Sequence, residues 1–181
     1  MGAGEQTMTN VKHIIRYTAL LTSILALTGC GEYLWPRDDN TIYVSPKWGF
    51  HIYCNADTLT ANTNDIELLT STIDAYMADV MPALHAAKIL NDSLFTPGND
   101  YVSRLTINIS TQISARGVYT INDNIILRPE SKMLSVFGHE LVRHLLNMSG
   151  ERGAALNSSL DWSGDVGVLW NIAETESLKF L

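Results

Sequence analysis

The chain has 181 residues, of which 46% are hydrophobic and 17% charged, and its formal net charge is −7. A chain of this length supports one core without splitting, and an acidic balance with no basic stripe excludes a nucleic-acid binder, which needs a cationic face. No internal repeat or low-complexity run is present, which excludes solenoid and linker architectures.

The first signal lies at the N-terminus. Lys12, His13 and Arg16 precede the apolar run YTALLTSILAL, which is shorter than a bilayer span but matches the apolar segment of a secretory signal. Met8 could equally be the start, since the chain from there is itself a well-formed signal. The run ends in Leu27-Thr28-Gly29-Cys30, which resembles the bacterial lipobox. That resemblance implies cleavage before Cys30, diacylglycerol on its sulfur, and a mature protein tethered to a membrane with its body outside the cytoplasm. Gly31, standing where an aspartate would retain the protein at the inner membrane, implies the outer membrane of a Gram-negative cell. The other reading of Cys30 is a core cysteine behind an uncleaved anchor helix. With Cys30 acylated, Cys54 is the one cysteine left, so no disulfide framework holds the fold, and Cys54 reads as a small buried apolar residue. The chain thus divides into a leader over 1–29, a tether over 30–40 that includes the solvating pair Asp38-Asp39, and a globular domain over 41–181.

Within the domain, TIYVSP and WGFHIYCN alternate with period two between Pro, Gly and Asn, and predict two strands. His51 reads as a sheet histidine. Asn64 and Glu67 form a capping-box pattern ahead of a helix whose apolar face is Ile66, Leu69, Ile73, Met77, Val80 and Leu84. Pro82 is expected to kink or end it, leaving His85 as a surface or cap residue. YVSRLTINIS predicts a third strand, and RGVYTI and NIILRP two more joined by a tight turn at Asn122-Asp123. A second helix starts at Ser131, carries Leu134, Phe137, Leu141, Leu145 and Met148 on one stripe, and stops at Ser149-Gly150. Residues 151–167 read as loop, and VLWNIAETESLKFL as a last short helix. Five strands with one long helix and a second, His-Glu helix give an α+β domain.

That second helix contains GHELVRHLLN, Gly138 to Asn147. Two histidines hold a zinc ion from one helix when four residues apart, a rotation of roughly 400°, and a glutamate after the first can activate the metal-bound water. Here His139 and His144 are five apart, so a regular helix turns them about 140° away from each other. His144 then falls on the side of Phe137, Leu141 and Met148, and Arg143, which cannot ligate zinc, takes the second ligand's place. A one-residue π-bulge between Glu140 and His144 would realign the pair. The alternative is an ordinary amphipathic helix with Glu140 and Arg143 paired on its polar face.

HELVRH is similar to the H-E-x-x-x-H of the dipeptidyl peptidase III type of metallopeptidase, and the element order resembles a compact zincin. The first resemblance implies zinc on His139 and His144, with Glu140 as general base. The second implies that the strand before the active helix, NIILRP, lies at a cleft edge where an extended peptide substrate can pair with it. A metzincin third ligand would fall at Ser149, which is no zinc ligand. A gluzincin-like glutamate would be Glu174, with Asp161 the next candidate and Glu151 and Asp165 behind them. No G-x-S-x-G elbow and no phosphate-binding glycine loop is present. The function expected is therefore a lipid-anchored, extracytoplasmic zinc peptidase with water activated by Glu140; the alternative behind it is a non-catalytic surface lipoprotein on the same fold that binds a peptide or envelope partner.

Overall fold

A computed structural model describes residues 40–95, 101–120, 122–129, 133–151 and 164–181. The leader, Cys30, the tether through residue 39 and Asp161 lie outside the described residues. Five strands form one mixed sheet: β1 Thr41–Val44, β2 His51–Cys54, β3 Thr106–Ile109, β4 Gly117–Thr120 and β5 Asn124–Leu127, in the order β1-β2-β3-β5-β4. The two edge strands run antiparallel to their neighbours, while β2, β3 and β5 are parallel to one another. This is the α+β architecture with a five-stranded sheet.

Alternation fixes which face of the sheet is covered. The register aligns Ile52 with Ile107 and Ile125, and Cys54 with Ile109 and Leu127, so two apolar rows run across the three parallel strands. All six side chains belong to one buried cluster. A one-residue slip would turn both rows to the other face, so burial itself specifies this pairing.

Three long helices, which follow a short one, supply most of the rest of that cluster. α1, Ala56–Ala61, is a short helix not assigned from the sequence; Asn55 caps it by accepting from Thr58 N at 2.7 Å. α2 runs from Thr63 to Ala86, and the six predicted apolar positions are all buried. It begins at an Asn62 cap with no side-chain cap bond, so the Asn64–Glu67 pair is a turn inside the helix and not its start. The helix also continues through Pro82 instead of ending there. Proline removes one donor and crowds the preceding turn, and on this exposed side of α2 water can serve the freed carbonyl. His85, in the last turn, stacks on Phe95 and lies 3.0 Å from Asp92.

α3, Met133–Met148, packs on β4 and β5, and α4, Gly164–Ser177, packs on α2 and α3. α4 starts four residues earlier than its sequence suggested, because Gly164–Gly167 is helical too. Where α2, α3 and α4 meet, Gly138 has no room for a side chain: a Cβ there would lie 2.0 Å from the Tyr76 hydroxyl. That hydroxyl donates to the Ala173 carbonyl at 3.0 Å, and the Tyr76 ring meets Phe137 edge-on.

One expectation is corrected by the strand order. NIILRP, as β5, lies between β3 and β4 in the interior of the sheet, and the edge belongs to β4. Ile125, Ile126 and Leu127 of β5 are all apolar and buried, the composition of an interior strand covered on both faces.

Candidate functional site

α3 is α-helical without interruption from Met133 to Met148, so the turn that carries the two histidines has no π-bulge. Each side chain therefore points where a regular helix sends it, and the two imidazoles serve different neighbours.

His139 faces α4. Its ring meets Trp170 edge-on with centroids 6.0 Å apart, while one helical turn earlier Ser135 Oγ donates to the Glu174 carboxylate. Contacts 135–174 and 139–170 run in opposite senses, so α3 and α4 are antiparallel and Glu174 is displaced one turn from His139 toward the start of α3. Arg143, four residues after His139, donates from Nε to His139 Nε2 at 3.3 Å. The lone pair that would have bound a metal is engaged by a guanidinium. Burial, with Arg143 beside it, lowers the His139 pKa to about 4, so the ring is neutral near pH 7 and its 3.8 Å approach to Glu140 is no ion pair.

His144 faces the opposite way and is wholly buried. Its Nε2–H donates to the Tyr101 carbonyl at 3.1 Å, and its ring sits edge-on to Tyr119, whose hydroxyl accepts from Asn147 Nδ2. Nδ1 lies 3.6 Å from Asp123 Oδ1, beyond hydrogen-bond range, and neither atom has another partner. Asp123 occupies the β4–β5 turn at φ 57, a conformation that Asp tolerates better than most residues. Burial holds the His144 pKa below its ordinary value against the opposing pull of Asp123.

Glu140 is 5% exposed. Burial pushes its pKa up to about 7, opposed by Arg143 and by a hydrogen bond from the Tyr119 backbone. Arg143 Nε stands 3.6 Å from Glu140 Oε2, close enough for attraction but too far for a hydrogen bond, and that oxygen is buried without a partner. The position of the Tyr119 amide follows from the ladder. Arg128 N bonds Arg116 O at 2.8 Å, so residues 116 and 118 turn their polar groups toward β5, and residues 117 and 119 turn theirs outward. The Glu140 carboxylate thus caps an outward-facing amide on the edge strand. Gly117 permits this approach: a Cβ there would come within 2.6 Å of Val136 Cγ1 and 3.2 Å of Glu140 Cγ.

His139, Glu140 and Arg143 are thus brought together, with Glu174 one turn away, while His144 is separated from all of them. Glu151 and Asp165 are exposed. Among the described residues no group of three or more His, Cys, Asp or Glu side chains could hold a metal ion, so the donor set His139, His144 and Glu174 does not fit zinc in this helix. Sequence reasoning did not find Tyr101, Asp123 or Trp170 as partners; the Asn122-Asp123 turn was the one available sign of where an acid would meet the helix. His51 stacks on Tyr53, and burial raises the Cys54 thiol to about 11, as a small core residue requires. In comparisons with known proteins, no family model, curated protein or solved structure matches the chain.

Proposed function

We propose that this chain is a non-catalytic lipoprotein of the bacterial envelope, anchored by lipid on Cys30, whose α+β domain binds a peptide or protein partner. The observation that carries this reading is the unbroken helix: it gives the ligand position after His139 to Arg143 and commits His144 to the core contacts of Tyr101 and Tyr119. An edge strand is where an extended partner segment adds to a sheet, and the sheet has two edges, β1 and β4, of which β4 has its outward Tyr119 amide already taken by Glu140. Among the described residues no helix is long and apolar enough to cross a membrane, and in this reading the lipid alone supplies the anchor.

Metal analysis of the full chain purified in detergent tests the proposal. Zinc well below one equivalent per chain, unchanged by His139→Ala and by His144→Ala, is the expected result. About one equivalent, lost in both variants, overturns it in favour of the zinc peptidase.

That competing reading keeps one observation on its side. A buried carboxylate with a pKa of about 7 is matched to accept a proton near neutrality, as a general base must. Peptide hydrolysis by the purified chain that Glu140→Gln abolishes would establish it.

A further inference from the structure

No further inference is drawn: the strongest candidate, the open groove between α2 and α4 lined by Ala83, Val168, Asn171, Ile172, Thr175 and Glu176, has an apolar floor, but nothing in the structure shows what covers it.

Discussion

His144 joins α3 to two segments distant in sequence, the turn at Tyr101 and the hairpin turn at Asp123. Truncation would leave a cavity and strip the Tyr101 carbonyl of its donor, so His144→Ala is expected to cost about 2–4 kcal/mol, read from urea unfolding. Its pKa is lowered on folding, so the unfolded chain binds its proton first, and this residue withdraws stability as pH falls below its ordinary 6.5. Glu140 acts in the other direction. Its folded pKa of about 7 lies above the ordinary 4.5, so the folded state holds the extra proton between those values and loses stability as pH rises through them. Glu140→Gln is neutral at every pH and shares the histidine contributions. Its stability relative to the parent should therefore climb from pH 4.5 to pH 8 by on the order of 1–3 kcal/mol, measured as paired unfolding curves, and a constant difference would contradict the buried, unpartnered oxygen. Of these side-chain roles, the conflict at Arg143 was legible, because spacing alone put it where a ligand should be. The His144–Tyr101 bond was not: it joins residues 43 apart and uses a main-chain acceptor, which leaves no trace in composition.

At the level of elements, periodicity predicted the face of α2 well, because that helix buries one stripe; α3 buries its predicted stripe, apart from the half-buried Met148, but also Glu140, Val142 and Leu146 outside it. Helix ends were less legible. α2 starts at a cap that makes no side-chain bond, so no sequence signature could mark it. α4 buries only the narrow line Gly167, Leu169, Ala173 and Ser177, too weak a pattern to separate its first turn from loop. Two substitutions test the helices as units. Gly138→Ala forces a methyl into the Tyr76 hydroxyl and should cost about 1–3 kcal/mol in chemical denaturation. Pro82→Ala restores a donor within an exposed helical turn and should raise the melting midpoint, with a gain of about 1–3 kcal/mol.

For the whole molecule, the α+β class and the count of five strands could be read from alternation and turn residues, but strand order could not. Order depends on which apolar rows meet across the sheet, and Ile107 matches Ile52 and Ile125 equally well until three dimensions decide. The same limit assigned β5 to the rim: RGVYTI and NIILRP were both legible as strands, but not which of the two lies at the edge. In the proposed reading Cys30 governs the placement of the entire protein: expressed in a Gram-negative host, Cys30→Ser should abolish palmitate labelling and move the protein from the membrane to the soluble fraction. Unchanged membrane association would remove the lipid anchor from the proposal. At the margin of the sheet, the contact between Glu140 and the Tyr119 amide has a further effect. Anchored as proposed, copies of the chain would crowd side by side in two dimensions, where any bare strand border invites fibre-like stacking. A carboxylate seated on that border shields it from its own kind.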